Sequence, residues 1–320
     1  MRRGHGIEPH PAHDGRGGAR RPRGRRAPRP HRRLVGPQRH GRRRRGAGDV
    51  PRRARRPRTR HGADRLVRRP TPRRAADRGC AAREGLAVID DVLDGLRAVV
   101  ADAEGDIHAA ADAIVATGRA GGLVRPAGAG HSLAAVMEAF FRAGGLAFVQ
   151  PLWHERVLPF AGASSATAAE REPGLGRSVA EAAAIEARDV VLVISNSGAN
   201  PYPVEIAQVG AEAGATVIAL TSRAANAAAP TDRAPVRLVD VASIVLDTQV
   251  RAGDASWPFD APVTAPTSSL VTTALWTAIL RAVHDRWPEA PRWRSANVVG
   301  SDGANQALFD ALSPRIPELR

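Results

Sequence analysis

Val190-Val191-Leu192-Val193-Ile194-Ser195-Asn196-Ser197-Gly198-Ala199-Asn200-Pro201 decides how the chain is read. The first five residues are apolar without interruption, and four of them are β-branched. Such a run suits a strand covered on both faces, the situation of a central strand in a parallel sheet. Ser195 to Asn200 are small or polar and read as a loop. From Val204 to Ala213 apolar residues return at helical spacing, and Gly214 closes the helix.

The same strand–loop–helix pattern occurs upstream. Leu123 to Ala127 is the strand, Gly128 to Ser132 the loop, and Leu133 to Arg142 the helix. Further strands are expected at Ala147 to Leu152, at Thr216 to Thr221, and at either Val236 to Val241 or Ile244 to Asp247. Leu86, Ile89, Leu93, Leu96, Val99 and Val100 mark a first helix, and Ile107 to Val115 a second. Val179 to Ala187 is helical, Leu270 to Arg286 is a long apolar helix stopped by Pro288, and Trp153 to Pro173 reads as irregular. Strands alternating with helices build βαβ units, so the fold class is α/β with a parallel sheet.

Charge is distributed very unevenly. Residues 1–84 hold 29 Arg against 6 Asp and Glu, a net of +23, whereas the whole chain sums to +15, so residues 85–320 are acidic by 8 charges. The high isoelectric point belongs to the first segment and is no nucleic-acid signature for the rest. That segment lacks Phe, Tyr and Trp and repeats Arg, Pro, Gly, Ala and His without periodicity, so residues 1–85 are expected to be disordered. The chain has no lysine and is rich in Arg, Ala, Gly and Pro, the mark of a GC-rich coding sequence. The segment reads either as translation ahead of the true start, near Val88, or as a basic arm that binds anionic polymers or lipid without specificity. No apolar stretch approaches a signal sequence or a membrane span. Cys80 is the sole cysteine, so no intrachain disulfide can form, in keeping with a cytoplasmic protein.

In an open parallel sheet, ligands sit beyond the carboxyl ends of the strands. Both Gly/Ser loops fall there: Gly128-Ala129-Gly130-His131-Ser132, and Ser195-Asn196-Ser197-Gly198. Each opens a helix, where free N–H groups and the helix dipole favour an anion, and serine hydroxyls add neutral donors. A dinucleotide fingerprint fails because Leu133 stands where its third glycine belongs, and a P-loop fails for want of lysine. No Cys or His pair has metal-ligand spacing, so neither a metal nor a cofactor is expected.

These residues resemble the SIS (sugar isomerase) domain family, in a subfamily described as phosphosugar isomerases. The likeness rests on Gly128-Ala-Gly-His-Ser132, Glu138-Ala-Phe-Phe-Arg-Ala-Gly-Gly-Leu146, Ile194-Ser-Asn-Ser-Gly-Ala-Asn-Pro201, Val217-Ile-Ala-Leu-Thr-Ser222, Val245-Leu-Asp-Thr248, Gly253-Asp-Ala255 and Ser295-Ala-Asn297, with Asp302 and Asn305. It implies a single domain over residues 86–320, a five-stranded parallel sheet flanked by helices, a homodimer, and recognition of a phosphorylated sugar. It implies that Ser132, Ser195 and Ser197 hold phosphate or sugar hydroxyls, with Gly130, Asn196, Gly198, Asn200 and Thr221 beside them. Many relatives carry Thr near the end of the second loop, where this chain has Asn200. Pro126 departs from the pattern, since proline late in a central strand removes a ladder donor.

Aldose–ketose isomerisation moves a proton between adjacent carbons and needs an acid and a base. His131, within the loop, and Glu138, in an otherwise apolar helix, are the candidates. Arg142 stands four residues after Glu138, so an intrahelical ion pair is the competing reading. His154 and Glu155 lie after a strand and read either as part of the pocket or as surface. Asp254 and Asn297 read as ligand contacts, dimer contacts or Asx turns. The expected function is that of a phosphosugar isomerase. The alternatives are a non-catalytic sugar-phosphate sensor and an amino-sugar-phosphate lyase or etherase.

Overall fold

The computed structural model describes residues 76–233 and 235–320, and the disorder expected for the arginine-rich segment lies, up to residue 75, outside them. The chain opens with helices α1 (Ala76–Asp102) and α2 (Glu104–Arg119) and enters strand β1 (Val124–Gly128). Helix α3 (Leu133–Ala139) follows, then α4 (Ala163–Glu170), α5 (Leu175–Ala182) and strand β2 (Val190–Ile194). Helix α6 (Pro201–Glu212), strand β3 (Thr216–Thr221), helices α7 (Arg223–Ala228) and α8 (Leu238–Val241) and strand β4 (Ile244–Asp247) complete the sheet. Helices α9 (Ser268–Arg286) and α10 (Asp302–Leu312) end the domain.

The four strands pair in sequence order, β1-β2-β3-β4, all parallel. Every residue of β1 and β2 is buried. Burying a Val, Leu or Ile side chain contributes roughly 1.5–3 kcal/mol, so β2 with its five apolar residues is the anchor of the core. The register aligns Gly128 with Ile194 and Ile194 with Leu220, so the carboxyl ends of three strands stop at one level. Helix α2 packs on the sheet with α9 behind it, while α6 packs on β1 to β3 with α5 beside it. Helices thus flank the sheet.

The fifth strand takes a reduced form. Residues 148–152 run parallel to β1 on its other edge, through Val124 N to Phe148 O at 2.9 Å, Gln150 N to Val124 O at 2.9 Å and Leu152 N to Pro126 O at 2.8 Å. The next donor of that ladder belongs to residue 126, and Pro126 has none. The pairing therefore breaks into two isolated bridges, Val124 to Val149 and Ala127 to Leu152. Of the alternatives for the last strand, Ile244–Asp247 is the strand, and the preceding residues form α8. Helix α3 stops at Ala139, three residues short of Arg142, where Phe140 turns to extended backbone. The stretch expected to be irregular contains α4, and α10 was not foreseen.

One polar group interrupts the core. Arg125, 4% exposed, donates from Nε to Asp189 at 2.7 Å and from Nη1 to Gln150 Oε1 at 2.5 Å. Asp189 also accepts from the Leu123 N–H at 2.8 Å and the Glu186 N–H at 2.9 Å. A buried ion pair adds little net stability, but removing one partner strands the other. Asp189→Ala leaves the buried guanidinium charge unpaired, with its Nε and two backbone donors without an acceptor, and should cost about 3–5 kcal/mol in urea unfolding. Arg125→Met should cost less, since Asp189 keeps its two backbone donors. A loss below about 1 kcal/mol for Asp189→Ala would show that the network relaxes around water.

Candidate functional site

The path of the chain through the sheet fixes where a ligand can lie. After β1 it moves outward to residues 148–152, then returns to β2 on the opposite edge of β1. Strand order therefore reverses between β1 and β2. Helix α3, following β1, packs toward α9, whereas α6, following β2, packs toward α5. Helices leaving to opposite faces open a crevice at the strand tips, the usual ligand position in such sheets. Gly128–Ser132 and Ser195–Asn200 are the loops that line it.

The first loop is a tight turn. Gly130 takes φ +57°, a left-handed conformation natural to glycine, and starts a 3-10 turn through Ser132. The N–H of Ser132 is used on Ala129 O at 3.1 Å, and that of Leu133 on the carbonyls of Gly130 and His131. The Ser132 hydroxyl caps nothing and has no hydrogen-bond partner among the described residues. His131 is exposed, and its ring is likewise unbonded there.

The second loop is braced from below. The Ser195 carbonyl accepts from the Thr221 hydroxyl at 2.6 Å, and the Asn196 carbonyl accepts from the Ser222 N–H at 3.1 Å. The Asn196 Oδ1 accepts from the Thr248 hydroxyl at 3.0 Å, and the Gly198 carbonyl from the Leu238 N–H at 2.9 Å. The Gly198 N–H donates to Ser195 Oγ at 3.2 Å, with Gly198 at φ +53°. The carbonyls of Ser195, Asn196 and Gly198 are thus all taken by donors from neighbouring segments. The Ser197 side chain makes no hydrogen bond among the described residues, and the Ser195 hydroxyl keeps its own proton to donate.

Several site residues are placed differently from expectation. Thr221 is fully buried and supports the loop from beneath. Asn196 is tied to Thr248. Helix α6 is a poorer anion site than a helix start usually is, because Pro201 and Pro203 leave Tyr202 as the only N–H carrier among its first three residues. Asn200, 7% exposed, does not cap the helix, and its buried Oδ1 has no partner among the described residues. Glu138 is ion-paired with Arg142, although α3 ends between them. The His154 Nδ1 accepts from the Arg156 N–H at 3.1 Å, and Asp254 caps α9 by accepting from the Thr267 and Ser268 N–H groups at 3.0 and 2.9 Å.

Leu238 and Asn226 also hold the second loop but carry no sequence signal, because each comes from another helix, and the resemblance assigns no role there to Thr248, which ends one of its stretches. Two cavities lie elsewhere. One, of about 570 Å³, is lined by Gly144, Trp293 and Val299 among others, and one of about 450 Å³ by Gln150, Trp153 and His154 among others. Neither includes a residue of the two serine loops. No group of three or more His, Cys, Asp or Glu side chains among the described residues could hold a metal, and no helix there is long and apolar enough to cross a membrane.

With this geometry in place, comparison with known proteins is informative. The SIS domain profile matches residues 88–222. A UPF0309 protein of Listeria innocua is 35% identical over 206 residues, covering 62% of this chain and 83% of its own length. One from Brucella canis is 36% identical over 235 residues, covering 71% and 94%. The chain belongs to the UPF0309 family of SIS-domain proteins. Among solved structures, the phosphoheptose isomerase of Neisseria gonorrhoeae is similar at 19% identity and TM-score 0.43, over 64% of this chain and 99% of that one. The sugar isomerase domain of an RpiR transcription factor from Sphaerobacter thermophilus is similar at 14% and 0.41, over 72% and 98%.

Tyr202, the one tyrosine of the chain, sits in the first turn of α6 with its hydroxyl buried and unpartnered. Burial disfavours the phenolate and pushes its pKa well above the ordinary value. The folded state therefore gains from the neutral phenol below the unfolded pKa of about 10, and loses this as pH rises toward the folded value. Phenolate absorbance should stay absent in the folded protein above pH ~10 and appear only together with alkaline unfolding. Ionisation near pH ~10 in the folded state would mean that water reaches the α6 start.

Proposed function

We propose that this UPF0309 protein binds a phosphorylated sugar in the crevice between the tips of β1 and β2 and acts on it as a phosphosugar isomerase. It does so in the cytoplasm, as a homodimer and without a cofactor. One observation carries the reading: the strand-order reversal brings together two serine-bearing loops whose Ser132 and Ser197 hydroxyls have no partner among the described residues. Neutral hydroxyl donors suit phosphate oxygens, and Gly130, where an added Cβ would meet open space, lets the phosphoryl group come close to the backbone.

In this reading Ser197 and Ser195 donate to the phosphoryl oxygens from one side and Ser132 from the other. Asn200, nine-tenths buried and uncommitted, faces the same end. His131 is the proton-transfer group best placed to act, because nothing among the described residues engages its ring. Glu138 would serve as the second group only after substrate draws Arg142 away from it. That ion pair also favours a second reading, a sugar-phosphate sensor without turnover, since no oriented acid–base pair stands ready.

Calorimetry with hexose, pentose and amino-sugar phosphates, followed by incubation in heavy water, tests both readings. A hydrogen bond to a charged group contributes roughly 1.5–3 kcal/mol, so Ser197→Ala should weaken binding roughly ten- to hundredfold. Deuterium at carbon 1 or 2 marks isomerisation, binding without exchange marks the sensor, and loss of a side group marks a lyase. Undiminished exchange in Glu138→Gln would remove that residue from the chemistry. Unchanged affinity in Ser197→Ala, or no binding of any phosphosugar, would overturn the site.

A further inference from the structure

Asn226 lies in α7, outside both loops, and is 1% exposed. Its Nδ2 donates to the Ser222 carbonyl at 2.8 Å and to the Thr221 hydroxyl at 2.7 Å, and lies 3.4 Å from the Asn196 carbonyl. Carbonyl oxygens only accept, so the nitrogen is identified by its partners and the amide cannot be turned over. The Thr221 hydroxyl, having accepted from Asn226, gives its own proton to the Ser195 carbonyl at 2.6 Å. A directed chain thus runs from Asn226 through Thr221 to Ser195.

The other end of the amide meets the same loop. The Oδ1 of Asn226 is buried and has no conventional donor among the described residues. It faces the Gly198 Cα so closely that a Cβ built on Gly198 would stand 2.3 Å from it. The contact leaves room for a Cα hydrogen and nothing larger. Gly198 is also at φ +53°, where a side chain is strained in any case. One side chain therefore reaches the loop at two points, at Ser195 through Thr221 and at Gly198 directly.

We infer that Asn226 is the positioning residue of the phosphate loop. It touches no ligand, but it sets the conformation in which Ser195 and Ser197 present their hydroxyl groups to the crevice. The inference rests on the proposed function for what the loop binds, and on hydrogen bonds alone for how the loop is held.

The test combines amide hydrogen exchange, which needs no ligand, with phosphorus NMR titration of inorganic phosphate. Asn226→Asp keeps the shape and removes the donors, while Asn226→Ala removes both. Each should speed exchange at Asn196 to Ala199 at least tenfold, leave the β2 and β3 amides protected, and weaken phosphate at least tenfold. Gly198→Ala should lower the melting temperature sharply in the native background and less in the Asn226→Ala background, where the obstructing oxygen is gone. Should the Asn226 variants fail to fold, Gly198→Ala perturbs the same contact from the other side and should speed the same amides. Loop exchange unchanged in the variants that fold, or phosphate affinity kept despite a loosened loop, overturns the inference. If the native protein takes neither phosphate nor phosphosugar, the proposed function fails, and loop exchange alone decides the role of Asn226.

Discussion

Strand β2 is covered on both faces and hydrogen-bonded along both edges, and this double confinement governs everything beyond its carboxyl end. A strand held on four sides cannot slip, because a one-residue shift would exchange the surroundings of every side chain. Ile194 is therefore the last residue the sheet can hold, level with Gly128 and Leu220, and Ser195 is the first to leave it. The loop that follows inherits a fixed starting point. The carbonyls of Ser195, Asn196 and Gly198 then find donors in Thr221, Ser222 and Leu238, and the Asn196 side-chain oxygen finds one in Thr248, at the ends of β3 and β4 and in α8.

The same arrangement bears on the proposed phosphosugar site. No arginine side chain bonds to either serine loop among the described residues, and two prolines thin out the free N–H groups at the start of α6. Under the proposed function, binding would depend on hydroxyl donors held in one geometry, and such donors contribute most when they need no rearrangement. The network beneath the loop supplies that rigidity. The buried Arg125–Asp189 pair plays a comparable part elsewhere, tying β1 to the residue that enters β2.

Much of this was legible in the sequence. The β-branched run at Val190–Ile194, the glycine and serine loops and the helical spacing after them each reflect local physics, and the structure has them in place. What was not legible depends on long-range partners. Pro126 was seen as a threat to pairing, but only the structure shows that its missing donor reduces the fifth strand to isolated bridges. The family resemblance implied a place for Thr221 beside the ligand, yet its hydroxyl donates to the Ser195 carbonyl from beneath the loop. Asn226 gave no signal at all, since its meaning comes from Gly198, 28 positions earlier in the chain. The helix after the first loop was read three residues too long because Phe140 and Phe141 look helical by composition but pack in an aromatic cluster with Trp293 and Phe309.

The central claim is that the second loop grips a phosphoryl group. Nitrogen–proton NMR of the native protein, titrated in parallel with fructose 6-phosphate and with fructose, addresses it directly. Saturable shifts at the amides of Asn196, Ser197, Gly198 and Ala199 with the phosphorylated sugar, and none with the free sugar, are the expected result. A phosphosugar that leaves those four amides unmoved, or that moves only residues far from the β1 and β2 tips, contradicts it.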